Sequence, residues 1–203
     1  MNRYLEGRLA DDDGADRLVK SAYQSAQIGK RLGVQRLNLH GTALGDGGMP
    51  IRPMQVVPGA MWLKAHDTLH RICDMAETEG VVFTLENLNK LDHPGCPFGS
   101  TQEVLALVSS INRRQLRINL DLYHTQIGER DLIRRCEKCL PWIGEVQVAD
   151  TPGRCESGTG EINFSGVAVA LKARGYCGPI GLESFASGDP DVALAAFRIA
   201  FTV

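Results

Sequence analysis

Apolar and polar positions alternate along this chain in blocks of two kinds. Short apolar runs at VQRLNLHG (34–41), VVFTLEN (81–87), LRINLD (116–121), EVQVAD (145–150) and PIGLES (179–184) predict five β-strands. Between them lie longer segments whose apolar residues recur every three or four positions. DRLVKSAYQSAQIGKRLG (16–33), WLKAHDTLHRICDMAETEG (62–80), TQEVLALVSSIN (101–112), RDLIRRCEKCLPW (130–142), FSGVAVALKARG (164–175) and DPDVALAAFRIAF (189–201) predict six helices. Gly33 and Gly80 stand where a left-handed residue ends a helix, and Ser100 stands where a hydroxyl caps one. Strands separated by helices of this size require right-handed crossovers and therefore a parallel sheet.

No linker or low-complexity tract interrupts the alternation, so residues 1–203 are expected to form a single α/β domain. The repeating unit of glycine, apolar run and acid predicts a barrel rather than a doubly wound sheet. No GxGxxG follows the first strand and no GxxxxGK[ST] occurs, which argues against a dinucleotide site and a P-loop.

Composition changes this picture little. With 22 Lys+Arg against 24 Asp+Glu the chain is nearly neutral, so charge makes no case for nucleic acid or an anionic membrane as partner. No apolar stretch approaches the roughly 18 residues of a membrane span. The first residues, MNRYLEGRLADDDGADR, are charged throughout and lack the apolar core of a secretory signal. The expectation is a cytoplasmic protein with reduced thiols. Six cysteines are scattered, and the lone CxxC, Cys136 to Cys139, lies in helical periodicity without a second pair, so no metal or redox role is assigned to it.

The chemistry lies in where the acids fall. Glu86, Asp121, Asp150 and Glu183 each end a predicted strand. In a parallel barrel all strand C-termini open on one face, where the active site is built. A single acid at such a place can simply cap the next turn. Four of them, two being glutamates that make poor helix caps, point to one pocket. Converging carboxylates raise each other's pKa unless a cation neutralises them. Oxygen donors favour Mg²⁺ or Mn²⁺ over zinc. Gln147 sits inside an apolar strand and needs a partner, either that cation or a hydrogen bond across the interior. His124, three residues past Asp121, can face the same pocket. His40, at another strand mouth, is a weaker candidate, and His66, His70 and His93 fall in helices or loops.

LENLN (85–89) with DHPG (92–95), LDLYHTQ (120–126), EVQVADTPGR (145–154), ESGTGEIN (156–163) and GLES (181–184) together resemble the hydroxypyruvate isomerase family. That family is one of the xylose-isomerase-like TIM barrels, a group that also includes sugar epimerases and endonuclease IV. The resemblance runs from about Arg36 to Glu183. It implies metal ligands at Glu86, Asp121, Gln147 and Glu183, with Glu86 and Glu183 also the acid/base pair. It implies substrate contacts from His124, Arg154 and Glu156, although Ser157 stands where the family's motif has proline. On this pattern Gln147, not Asp150, is the ligand of its strand.

The implied reaction is aldose–ketose interconversion of a small sugar acid, for instance hydroxypyruvate to tartronate semialdehyde. The alternatives are an epimerase or isomerase of another keto-sugar or 2-oxo acid, and a non-catalytic barrel remnant that binds a sugar or a protein. An endonuclease IV-type site would need more histidines at the strand ends. A complete (β/α)₈ barrel takes eight strands in about 250 residues. The five strands here correspond to its C-terminal part, strands four to eight, with residues 1–15 expected as the tail of a preceding loop. All proposed ligands lie on strands that are present. Two open edges would remain, which a second copy of the chain is a candidate to cover.

Overall fold

The computed structural model describes residues 7–203. It contains one parallel sheet of five strands in sequence order: β1 (Arg36–Leu39), β2 (Val82–Glu86), β3 (Leu116–Asp121), β4 (Ile143–Val148) and β5 (Ile180–Leu182). The seven α-helices among the described residues are α1 (Asp12–Leu32), α2 (Gly59–Glu79), α3 (Thr101–Ile111), α4 (Leu122–Gly128), α5 (Leu132–Cys139), α6 (Phe164–Ala173) and α7 (Pro190–Ala200). The result is a half-barrel with helices packed on its convex side.

Side-chain alternation separates the two faces. Phe83 and Leu85 of β2, Ile118 and Leu120 of β3, and Val146 and Val148 of β4 are fully buried in the core beneath the helices. Burial of each is worth roughly 1.5–3 kcal/mol. The concave face is polar instead. Asn38 donates to Glu86 across β1 and β2, and Asn119 donates to Gln147 across β3 and β4. Thr84 of β2 donates to Glu145 of β4 at 3.0 Å, past the intervening β3, which only a curved sheet permits. Gly144 makes that curvature possible: a Cβ there would lie 2.6 Å from the Arg117 Cβ and 2.8 Å from the Thr84 methyl.

The helix ends follow local chemistry. Gly33 and Gly80 close α1 and α2 in the left-handed conformation, with φ of 72° and 70°. Ser100 and Glu103 form a reciprocal capping box on α3. Three of the differences from expectation have a local chemical cause. First, α1 begins at Asp12 rather than Asp16, because Asp11 accepts from the Gly14 amide and Asp12 and Asp13 favour the positive helix start; what was expected to be loop up to residue 15 is therefore partly helix, and residues 1–6 lie outside the described region. Second, the fourth predicted helix stops at Cys139, since Leu140–Trp142 tightens into one 3₁₀ turn and β4 starts at Ile143. Third, α4 was not expected: Asp121 ends β3 and caps α4 in the same stroke, its carboxylate accepting from the His124 amide at 3.0 Å.

The outer strands β1 and β5 each pair on one side only among the described residues. Cys136 and Cys139 are buried, and burial pushes both thiols up to about 12, consistent with packing rather than redox work. No helix among the described residues is long and apolar enough to cross a membrane.

Candidate active site

Parallel register brings the acids to one rim. Glu86 pairs with Asn119, Asp121 with Gln147, and Gln147 with Gly181, two residues before Glu183. Glu86, Asp121 and His124 are almost completely buried, and single donor atoms from the three lie within 4.8 Å of one another.

The electrostatics of this rim are in conflict. Burial works to raise the Glu86 carboxyl, but hydrogen bonds from His40, at 2.8 Å, and from Asn38 outweigh it and hold Glu86 below its usual value. That charge is then felt by its neighbours. Burial, reinforced by Glu86, drives the Asp121 carboxyl well above the usual range. Burial and Glu86 also raise Glu183, with Arg154 opposing from 2.7 Å. His40 in turn is disfavoured as a cation by burial, yet the Glu86 carboxylate raises it overall.

A divalent cation among these oxygens would relieve the repulsion. The donor set fits one: three carboxylates at one rim, the amide oxygen of Gln147, and a buried Asn119 Oδ1 that has no hydrogen-bond partner. Gln147 Oε1 accepts from Asn119 Nδ2 at 2.6 Å, so the hydrogen bond across the interior is made, and one lone pair of that oxygen remains.

His124 sits on the first turn of α4. Burial pushes its imidazole down to about 3, so it is neutral at pH 7. Its Nδ1 meets Asn89 Nδ2 at 2.8 Å, while its buried Nε2 has no partner and lies 3.9 Å from Asp121 Oδ2. His93, set aside on sequence, packs edge-on against His124 with centroids 5.2 Å apart.

The loop after β4 is organised by Asp150. This fully buried carboxylate accepts from the amides of Thr151, Gly158, Gly160 and Ile162 at 2.9–3.0 Å. Its oxygens are thus spent on backbone. Gly160 is required where the loop returns, because a Cβ would lie 2.0 Å from the Thr151 carbonyl oxygen. So wound, the loop carries Arg154, in a left-handed conformation with φ 53°, to within 2.7 Å of Glu183 and 4.9 Å above the Tyr123 ring. Residues 1–201 match the family described as xylose isomerase-like TIM barrel.

The chain belongs to the xylose isomerase-like TIM barrel family.

Its curated relatives include hydroxypyruvate isomerase of Escherichia coli K12, 32% identical over 117 residues that make up 58% of this chain and 45% of that protein. Another is 2-oxo-tetronate isomerase of Cupriavidus necator, 31% identical over 108 residues, 53% of this chain and 42% of the relative. Among solved structures, a family 2 AP endonuclease from Brucella melitensis superposes with a TM-score of 0.81 and 26% identity, covering 95% of this chain and 71% of that one. The chain spans about half the length of the curated relatives it matches.

Within this xylose isomerase-like half-barrel, Glu86, Asp121, His124, Glu183 and Arg154 gather at one rim, with Gln147 in register beside them. Glu156 does not join them: Ser187 occupies both of its oxygens, by amide at 2.9 Å and by hydroxyl, so it braces the loop against the segment after β5. Ser157, at the position where the resemblance has proline, is buried with its hydroxyl unpartnered. Sequence reading missed Asn38, Asn89 and Asn119. Each is an amide embedded in or just beyond an apolar run, a place where a polar side chain needs a partner. A separate cavity of about 660 Å³, lined by Arg36, Arg117, Gly144 and Tyr176, opens at the opposite, N-terminal ends of the strands, away from this chemistry.

Proposed function

We propose that the protein is a metal-dependent aldose–ketose isomerase of small sugar acids, with hydroxypyruvate and tartronate semialdehyde as the pair interconverted. The observation that carries this reading is the crowding of Glu86, Asp121 and Glu183 at one rim beside Arg154, in a family whose relatives include two isomerases of small oxo acids. Glu86, Asp121, Gln147 and Glu183 would hold Mg²⁺ or Mn²⁺. When bound, the cation supplies electrophilic stabilisation to the oxygens of an enediolate.

The residues of the chain do the rest. One of Glu86 and Glu183 takes a proton from C3 of hydroxypyruvate and the other returns one at C2, while a proton passes between the two oxygens, so the reaction balances without a co-reactant. The raised carboxyl of Glu183 suits a group that must hold a proton part of the time. Arg154, with its planar fork steadied on Tyr123, binds the substrate carboxylate. His124 offers a neutral N–H to a substrate oxygen.

The test is proton NMR of hydroxypyruvate incubated with the chain and Mg²⁺ or Mn²⁺, with isothermal titration of the metal alone. Conversion is expected for the natural sequence. Loss of about 10³-fold or more is expected for Glu86→Gln and for Glu183→Gln, within the range by which acid–base groups accelerate reactions. A folded, metal-loaded chain that leaves hydroxypyruvate and related 2-oxo sugar acids unchanged overturns the proposal in favour of a binding role.

A further inference from the structure

We propose that Asn89 is a positioning residue that fixes the tautomer of His124, so that Nε2 keeps its hydrogen and meets the carboxylate rim as a donor rather than as a metal ligand. Proximity alone suggests the opposite, since His124 offers a ring nitrogen within 4.8 Å of donor oxygens on Glu86 and Asp121.

The hydrogen bonds decide. Asn89 Oδ1 accepts from the backbone amides of Leu91 at 3.0 Å and Asp92 at 2.8 Å. Those amides are donors only, so they settle which end of the Asn89 side chain is oxygen. The other end, Nδ2, donates to Asp92 Oδ2 at 2.9 Å and reaches His124 Nδ1 at 2.8 Å. Reversing the Asn89 amide would set its oxygen against the Asp92 carboxylate and its NH₂ against two N–H groups. Tyr123 donates to the same Asp92 oxygen at 2.9 Å and secures the far side of the network.

A donor facing Nδ1 leaves that nitrogen bare, and a neutral imidazole with bare Nδ1 carries its hydrogen on Nε2. Nε2 is the buried nitrogen with no protein partner, 3.9 Å from Asp121 Oδ2. The ring is gripped edge-on by His93 and Tyr123, with centroids 5.2 and 5.1 Å away, which opposes a flip. A protonated Nε2 cannot ligate a cation, so metal holding falls to the oxygen donors. That the Nε2 hydrogen serves a substrate oxygen rests on the isomerase reading; the tautomer itself does not.

The experiment is long-range ¹H–¹⁵N correlation of the imidazoles in the ¹⁵N-labelled full chain at neutral pH, with and without Mg²⁺. The His124 signals are identified by their loss in His124→Gln. Nδ1 is expected to resonate as an unprotonated nitrogen and Nε2 as a protonated one, and Mg²⁺ is expected to leave this pattern unchanged. Asn89→Ala should produce a mixture of tautomers. Asn89→Asp, which keeps an acceptor for Leu91 and Asp92 but turns the donor into an acceptor, should reverse the pattern. In turnover of hydroxypyruvate, kcat should fall on the order of 10-fold in both Asn89 variants, the size of one lost hydrogen bond, with Mg²⁺ affinity in Asn89→Ala changed less than kcat.

A protonated Nδ1 in the natural sequence, loss of the Nε2 hydrogen on adding Mg²⁺, or an unaltered tautomer in a folded Asn89 variant overturns the assignment. If neither variant folds, the natural sequence with and without Mg²⁺ still decides it. An inactive chain with the expected tautomer sinks the isomerase reading alone. A reversed tautomer in an active chain sinks this inference alone.

Discussion

Asp150 shows how much one residue's surroundings decide its role. By position at a strand end it has the same standing as Glu86 or Asp121. In the folded chain it accepts four backbone hydrogen bonds and holds the loop that carries Arg154. Each amide left without an acceptor costs about 1–3 kcal/mol, less what water recovers. Asp150→Ala is therefore expected to destabilise the fold by at least about 3 kcal/mol, measured by urea denaturation. It is also expected to raise KM for a carboxylate substrate more than it lowers kcat, because Arg154 loses its seat. Unchanged stability would mean that the loop holds its shape without the carboxylate. Glu156 makes the same point: both oxygens are taken by Ser187, so its contribution is bracing.

At the scale of elements, the strands set the rim and the helix starts set what stands on it. β3 and α4 meet at Asp121 without an intervening turn, which is why His124 lies over the rim rather than one loop away. The capping box starts α3, and that helix packs on β2 and β3 from the convex side. Ser100→Ala should cost about 1 kcal/mol of stability, read from the shift in denaturation midpoint at unchanged slope, with the rim and its chemistry intact. A larger loss would show that Ser100 does more than cap. The segments that were misjudged at this scale, α4 and the start of α1, are both short stretches whose helicity comes from a capping carboxylate rather than from apolar periodicity. Periodicity has nothing to register in seven residues.

At the scale of the whole molecule, the half-barrel has two one-sided strands, β1 and β5, among the described residues. Unpaired backbone donors and acceptors on such edges invite further strands. The chain is expected to self-associate as its concentration rises, measured by sedimentation velocity, with the second copy covering these edges. A species that stays monomeric at every concentration would show that the edges are protected within the chain.

The sequence by itself determined the order of the strands, the parallel sheet and the ends of strands at which carboxylates stand, because apolar period and glycine placement act locally. It also carried the loop motif by which the family resemblance is recognised. Only the tertiary structure decided what Asp150 holds in place of a ligand role, four backbone amides, and that Asn38, Asn89 and Asn119 complete the polar interior. It also decided that the unpartnered nitrogen of His124 is Nε2. The physical reason is that hydrogen-bond partners and burial arise between segments far apart in the chain: Asn89 and His124 meet only because β2 and β3 pair, and Thr84 and Glu145 only when the sheet curves. The type of a residue sets what it can donate or accept; the fold sets what is there to receive it.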